Sequence, residues 1–140
     1  MIREMRRADL PDIMRIWIEG NLDAHGFVDG DYWRRNYAAV QREMLSTEVY
    51  VCEEKGEVVG FVGLKGDYVA GLFVDRENRG RGVGKQLLDR AKKAHSELSL
   101  HVFEKNPRAA AFYQREGFCR AEQGANGDSW EREYLMRWSK

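Results

Sequence analysis

The feature that most constrains this chain is a glycine-rich turn between two segments of different periodicity. Gly80, Gly82 and Gly84 occupy three of five consecutive positions. The segment before them, Tyr68 to Val74, is typical of a β-strand, and Val83 to His95 has apolar residues at helical spacing. Glycine lets the backbone approach a ligand closely, and the N-terminus of a helix offers free N–H groups and a partial positive charge. The turn therefore predicts an anion site.

The charge around the turn favours the same interpretation. Residues 76–93 contain seven basic and two acidic side chains, a net charge of +5, in a chain with 23 basic and 23 acidic residues. Two common phosphate-binding loops are excluded by spacing. A P-loop needs Ser or Thr after Gly-Lys, but Gln86 follows Lys85. A dinucleotide fingerprint needs two residues between its second and third glycines, but a single residue separates Gly82 from Gly84. A glycine-rich helix cap with solvated basic residues is the alternative interpretation.

Strands and helices alternate along the whole chain. We predict a first helix that begins after Asp9 and ends at Gly20, and a second helix from about Asp31 to Met44. A β-hairpin follows over residues 48–65, and Tyr68 to Val74 adds a third strand. The predicted order β-α-α-β-β-β-α-β-α-β-β combines a meander with a crossover. The fold class is therefore α/β in the broad sense, an α+β domain with a mixed sheet.

Composition excludes several classes of protein. The 140 residues suit a single domain spanning residues 1–140. The neutral net charge argues against nucleic acid as a partner, and the longest apolar run, Val58 to Leu64, is far shorter than the ~20 residues of a membrane span. Cys52 and Cys119 have no Cys-x-x-Cys spacing, so we expect reduced thiols and a cytoplasmic protein. No His, Cys or carboxylate cluster has metal-ligand spacing, and no Gly-x-Ser-x-Gly elbow is present.

A second motif follows downstream and points to a family. Residues 106–118 have the sequence NPRAAAFYQREGF, which looks like the Asn-x-x-Ala-x-x-Phe-Tyr-x-x-x-Gly-Phe segment of the GNAT superfamily of N-acetyltransferases. Arg79, Gly82 and Gly84 match the Gln/Arg-x-x-Gly-x-Gly/Ala acyl-CoA-binding motif of that superfamily. The resemblance is strong from Tyr68 to Phe118, and it is closest to short bacterial members. It implies a sheet of about seven strands with four helices, splayed between strands 4 and 5.

The resemblance implies acetyl-CoA as the cosubstrate and assigns residues to it. The pantetheine arm would lie along strand 4, against the backbone of Leu72, Phe73 and Val74. Asn106 would contact the cofactor near the pantetheine. The pyrophosphate would be held by the N–H groups of the glycine turn: Arg79, Gly80, Arg81, Gly82, Val83, Gly84 and Lys85.

The resemblance also implies a direct transfer of the acetyl group to a primary amine. A neutral amine would attack the thioester carbonyl, a strand-4 N–H would stabilise the oxyanion, and Tyr113 would protonate the CoA thiolate as general acid. Each residue has a plainer interpretation. Tyr113 and Phe112 lie on an apolar helix and could be core aromatics, and Asn106 could be a helix cap.

Two histidines are candidates for the general base. His101 is one candidate because strand 5 runs beside the splay, although related short members often have an acidic residue there. His25 is the other, in the loop expected to border the acceptor cleft, and His95 is expected to face solvent. Four aromatic residues are candidates for the wall of the acceptor site: Phe27, Tyr32, Trp33 and Tyr68.

We therefore predict an acyltransferase that moves an acetyl group from acetyl-CoA to a primary amine of a small molecule, peptide or protein. No metal, nucleic acid or membrane is expected as a partner. A non-catalytic acyl-CoA-binding module, or a transferase for another acyl group, is the alternative. For the oligomeric state, a monomer and a homodimer are both compatible with the sequence.

Overall fold

The computed structural model describes the backbone of residues 1–125 and 131–140 and the side chains of residues 1–121 and 131–140. Seven strands, four α-helices and two short 3₁₀ turns make up this part of the chain. Their bounds are β1 Ile2–Glu4, α1 Leu10–Ala24, α2 Gly30–Met44, β2 Glu48–Glu54, β3 Glu57–Lys65, β4 Tyr68–Val74, α3 Val83–Ala94, β5 Glu97–Phe103, α4 Pro107–Arg115, β6 Cys119–Ala125 and β7 Arg132–Ser139, with 3₁₀ turns at Arg7–Asp9 and Arg76–Asn78. No helix of the described residues is long and apolar enough to cross a lipid bilayer.

All seven strands belong to one mixed sheet in the order β1-β2-β3-β4-β5-β7-β6. Neighbouring strands are antiparallel except β4 and β5, which are parallel and share a single residue pair, Tyr68 opposite Ser99. The Ser99 N–H donates to the Asp67 carbonyl at 3.0 Å, and beyond this point the two strands separate. The predicted fold class and the splay between strands 4 and 5 are confirmed.

Helices cover the sheet on both faces, and each face has its own core. Helices α3 and α4 enclose one cluster of buried residues, which includes Leu87 and Leu88 of α3, Leu100 of β5 and Met136 of β7. Helices α1 and α2 enclose the other, which includes Ile13 and Met14 of α1, Trp33 of α2, Phe61 of β3 and Phe103 at the end of β5. The apolar periodicity of each helix therefore has a face of the sheet to bury against.

Helix α1 does not end at Gly20, so that prediction was wrong. The helix continues for another turn to Ala24. Gly20 is needed for packing, because a Cβ atom there would lie 2.7 Å from Cδ1 of Phe73 on β4. The glycine thus lets the helix approach the strand closely, and the extra turn brings the following residues toward the wide end of the splay.

Asp9 stands at the predicted position before α1, but its side chain does not cap the helix. Its carboxylate instead accepts two hydrogen bonds from the Arg3 guanidinium, at 2.8 and 3.0 Å, and one from the Arg6 N–H at 2.7 Å. The hydrogen bond from Arg3 lowers the pKa of Asp9 although burial opposes it. This bidentate pair fastens the first strand to the start of the helix.

Candidate functional site

The glycine turn adopts a backbone that favours glycine at two positions. Gly80 has φ of 77° and Gly82 has φ of 82°, a left-handed region that costs other L-residues about 1–2 kcal/mol. A Cβ atom at either position would meet nothing within 4 Å. The glycines are therefore required by conformation and not by a close neighbour, and open space remains in front of the turn.

The backbone N–H groups that follow Arg79 provide donors at the start of helix α3. Among the described residues, the N–H groups from Gly80 to Lys85 donate to no backbone carbonyl, and the first bond of helix α3 is from the Gln86 N–H to the Gly82 carbonyl at 3.0 Å. The Arg79 N–H differs, because it donates to the Arg76 carbonyl at 3.4 Å. A run of free donors at a helix N-terminus is the arrangement that binds phosphate.

One carboxylate pairs with Arg79 of the glycine turn and with Arg76 of the preceding 3₁₀ turn. Asp23, in the last turn of α1, lies 2.6 Å from Arg76 and 3.0 Å from Arg79. The Arg79 Nε also donates to the Val74 carbonyl at 3.1 Å. These residues border a cleft of about 510 Å³ between α1 and the end of β4. The positive charge predicted around the turn is thus partly neutralised by an aspartate.

At the narrow end of the splay, a tyrosine of β4 meets a histidine of β5. The Tyr68 hydroxyl lies 2.7 Å from Nδ1 of His101. Burial and the negative charge of Glu133 raise the pKa of Tyr68, and a hydrogen bond with the His101 backbone acts in the opposite direction. His101 itself is exposed. In the pairing of β5 with β7, His101 stands opposite Leu135 and Phe103 opposite Glu133, so these four residues share the α1 face of the sheet.

Tyr113 lies in the core beneath the splay. It belongs to the cluster between the sheet and helices α3 and α4, with its ring 5.1 Å from Phe112 and 5.5 Å from Phe118. Burial, with a smaller contribution from Tyr68, raises its pKa well above that of a free tyrosine. The Tyr113 phenol is therefore protonated at neutral pH.

His25 lies at the wide end of the splay, apart from His101. Its Nδ1 is 2.9 Å from Oδ1 of Asn21, and its Nε2 is 3.1 Å from Nδ2 of Asn106. The imidazole also contacts aromatic rings, with its centroid 4.8 Å from that of Phe103. Burial lowers the pKa of His25 to about 4. The ring is thus neutral at physiological pH, and both of its nitrogens have partners.

Comparison with known proteins identifies the family. Residues 46–120 match the family described as an acetyltransferase (GNAT) domain. The chain belongs to the GNAT family. The peptidyl-lysine N-acetyltransferase YiaC of Escherichia coli is 34% identical over 140 residues, which cover 99% of this chain and 96% of YiaC. The peptidyl-lysine N-acetyltransferase YjaB of the same organism is 30% identical over 84% of this chain and 80% of YjaB.

A solved structure agrees with this assignment. The solution structure of apo YjaB from Escherichia coli superposes with a TM-score of 0.86 at 26% identity, covering 99% of this chain and 96% of YjaB. The protein is therefore an N-acetyltransferase that uses acetyl-CoA as its acyl donor and an amine as its acceptor. The resemblance stated from the two motifs is confirmed for the family, the fold and the class of reaction.

The remaining candidates of this GNAT protein occupy different environments. Trp33 is buried, with its ring 6.1 Å from Trp17, and this is the position of a core residue. Phe27 packs 5.3 Å from Phe103, and Tyr32 packs edge-on against Trp33 at 4.8 Å. Of the four aromatic candidates for the acceptor wall, Tyr68 contacts His101. Their role in acceptor binding stays a prediction.

The prediction that His95 faces solvent was wrong. Its side chain is only 13% exposed, and its two ring nitrogens lie 2.8 Å from Asp67 and 3.0 Å from Glu48. Burial lowers the pKa of His95, but the hydrogen bonds and charges of the two carboxylates outweigh it and raise the pKa overall. His95 therefore ties the end of α3 to the β3–β4 turn and to the start of β2.

Sequence reasoning missed two residues near the site. Asn21 is the partner of His25, and Asp23 is the partner of the turn arginines. The i, i+4 spacing of Asn21 and His25 is a signal that was available, since such residues are neighbours on a helix. It went unused because the helix was expected to end at Gly20.

Proposed function

We propose that residues 1–140 form a single N-acetyltransferase domain that acetylates the Nζ amine of lysine in peptides or proteins. The observation that carries the choice of acceptor is the exposed ring of His101 beside the splay. A lysine side chain that projects from a macromolecule can reach such an open position, whereas a small ligand is usually held in an enclosed pocket. The names of YiaC and YjaB support the same acceptor.

In this proposal the glycine turn binds the pyrophosphate of acetyl-CoA. The free N–H groups from Gly80 to Lys85, the open space before Gly80 and Gly82, and the nearby guanidinium of Arg79 all fit a phosphate group. The pantetheine arm lies along β4 at the splay, where β5 no longer pairs with this strand. The backbone groups offered to it are those of Leu72, Phe73 and Val74.

Tyr113 acts as general acid. Bound acetyl-CoA supplies an acetyl group that is activated as a thioester. Because burial raises the pKa of Tyr113, its hydroxyl carries its proton at neutral pH. It is therefore suited to donate that proton to the thiolate as the C–S bond breaks. The N–H groups that β4 leaves unpaired at the splay are suited to stabilise negative charge on the thioester oxygen.

His101 acts as general base toward the lysine ammonium. If its Nδ1–H donates to the Tyr68 oxygen, Nε2 presents a lone pair toward solvent, and the same hydrogen bond persists after the ring takes up a proton. Tyr68 would then orient the ring. His25 is less suited to this role because its Nε2 already has a partner in Asn106.

The reaction is tested with purified protein, acetyl-CoA and a lysine peptide, with release of CoA as the readout. A peptide with acetylated lysine is the control, and a polyamine and free lysine test for small acceptors. Acetylation of the peptide Nζ, located by mass spectrometry, supports the proposal. Turnover with small amines only, or transfer of a longer acyl group in preference to acetyl, would contradict it.

Substitution separates an enzyme from a non-catalytic acyl-CoA-binding module. Tyr113→Phe is expected to lower kcat by about 10²-fold or more, within the range for loss of a general acid, at nearly unchanged acetyl-CoA affinity. Tyr37→Phe on α2 is the matched control, because it makes the same change in a tyrosine that packs against Trp17. Unchanged turnover in Tyr113→Phe would refute the general-acid role.

A cytoplasmic setting is part of the proposal. Among the described residues both cysteines are free, Cys52 buried and Cys119 exposed. Free thiols are usual in a reducing compartment.

A further inference from the structure

A chain of four hydrogen bonds connects helix α1 to helix α4 across the wide end of the splay. It begins at the Trp17 carbonyl, which accepts from Nδ2 of Asn21 at 2.9 Å. Asn21 Oδ1 is 2.9 Å from His25, and His25 is 3.1 Å from Nδ2 of Asn106. Asn106 Oδ1 then accepts from the Ala109 N–H at 3.3 Å. At the third bond, between His25 and Asn106, the chain joins residues that lie 81 positions apart in the sequence.

The two ends fix the direction of every bond between them. A carbonyl can only accept, so Asn21 must direct its NH₂ group at Trp17 and its oxygen at His25. Nδ1 of His25 must therefore carry a hydrogen, which leaves Nε2 as an acceptor in the neutral ring. At the other end, the Ala109 N–H can only donate, so Asn106 must direct its oxygen there and its NH₂ group at His25. Both ends agree on one tautomer and one amide orientation.

At the α4 end of the chain, this orientation leaves one donor of Asn106 unused. The NH₂ group of Asn106 has two hydrogens, and one of them goes to His25. The other has no acceptor in the hydrogen bonds of the described residues. Asn106 stands between the end of β5 and the start of α4, the helix that carries Tyr113. A fixed amide donor at this place suits a carbonyl oxygen of the pantetheine arm.

We propose that His25 is a positioning residue, whose neutral ring holds the Asn106 amide in the orientation that donates to a pantetheine carbonyl of acetyl-CoA. The inference rests on the proposed contact of Asn106 with acetyl-CoA but not on lysine as the acceptor. Without the Nε2 acceptor, the Ala109 N–H at 3.3 Å alone orients the amide of Asn106, and ordering the less restrained amide on binding reduces affinity. Phe103, Trp33 and Phe27 pack around the imidazole of His25.

The tautomer of His25 is the first test, and it requires no substrate. Nitrogen NMR of the ¹⁵N-histidine-labelled protein at pH 7 is expected to show His25 as the neutral Nδ1–H form. An Nε2–H form, or a charged ring, would overturn the inference, because Asn106 could not then donate to Nε2.

The second test is the affinity for acetyl-CoA, measured by calorimetry without any acceptor. His25→Phe keeps an aromatic ring but removes the acceptor, and we expect about tenfold weaker binding, close to the value of one neutral hydrogen bond. His25→Gln supplies an amide oxygen near the place of Nε2 and is expected to remain within about threefold of the wild type. His95→Gln, a change in the other half-buried histidine, is the matched control with unchanged affinity.

A double-mutant cycle separates this inference from the underlying proposal. Asn106→Ala is expected to weaken binding, and His25→Phe should then add no further loss in that background. If Asn106→Ala binds normally, the proposed role of Asn106 fails. If Asn106→Ala weakens binding but His25→Phe weakens it equally in both backgrounds, only the role of His25 fails. Should His25→Phe not fold, Asn106→Asp replaces the donor by an acceptor facing Nε2, and normal binding by this variant would overturn the inference.

Discussion

Replacing Gly20 by alanine tests how closely α1 packs on β4. In a helix interior this change alone favours the folded state by about 1 kcal/mol. In this protein the new Cβ would lie 2.7 Å from Cδ1 and 3.3 Å from Cε1 of Phe73, whereas carbon atoms prefer about 3.5–4.0 Å. The ring cannot withdraw freely, because it packs against Phe61 at 5.8 Å and lies over Gly71.

We expect overpacking to outweigh helix propensity. Extra methylenes in a packed core cost about 1–3 kcal/mol, so the net loss in the free energy of unfolding should be about 1 kcal/mol. For a chain of this length that lowers Tm by about 4 °C. Because Phe73 is one of the proposed cofactor residues on β4, the KM for acetyl-CoA should rise as well.

Chemical denaturation and calorimetry measure the effect. Gly26→Ala is the matched control, since a Cβ atom there meets nothing within 4 Å, and its stability should stay the same or rise slightly. Gly20→Ala in a Phe73→Leu background should lose much of its cost, because the leucine has no ring edge at that place. The reasoning is refuted if Gly20→Ala alone stabilises the protein by the full helix-propensity gain.

Three further predictions concern the turn and its surroundings. Gly82 has φ of 82°, so Gly82→Ala should lower the free energy of unfolding by about 1 kcal/mol and raise the KM for acetyl-CoA about tenfold. An unchanged KM in steady-state kinetics would argue against phosphate binding at the turn. Asp23→Asn should release Arg79 and lower that KM a few-fold in low salt, with the difference lost in high salt. Burial lowers the pKa of His25 from 6.5 to about 4, so the unfolded chain binds more protons than the folded protein between these pH values. The free energy of unfolding should therefore fall as the pH drops from 6.5 to 4. In urea titrations at about pH 7 and pH 4.5, the wild type should lose about 2 kcal/mol more than His25→Gln.

Local features of the site were predictable because they depend on residues close together in sequence. The need for glycine at Gly80 and Gly82 follows from backbone conformation, and the apolar stripe of α3 follows from its periodicity. The splay also followed from the two motifs, through the family they resemble. The prediction that α1 ends at Gly20 was wrong. Helix propensity favours an end at a glycine, whereas here packing against Phe73 requires a glycine within the helix.

The sequence by itself thus determined the fold class, the glycine turn and the family, since periodicity, turn conformation and motif spacing are properties of short segments. Only the tertiary structure decided that His25 contacts Asn106, that Asp23 holds Arg79, and that His101 contacts Tyr68. The physical reason is that a hydrogen bond needs two groups within about 3 Å. For groups separated by tens of residues, that distance is set by how helices pack on the sheet, which no local pattern records.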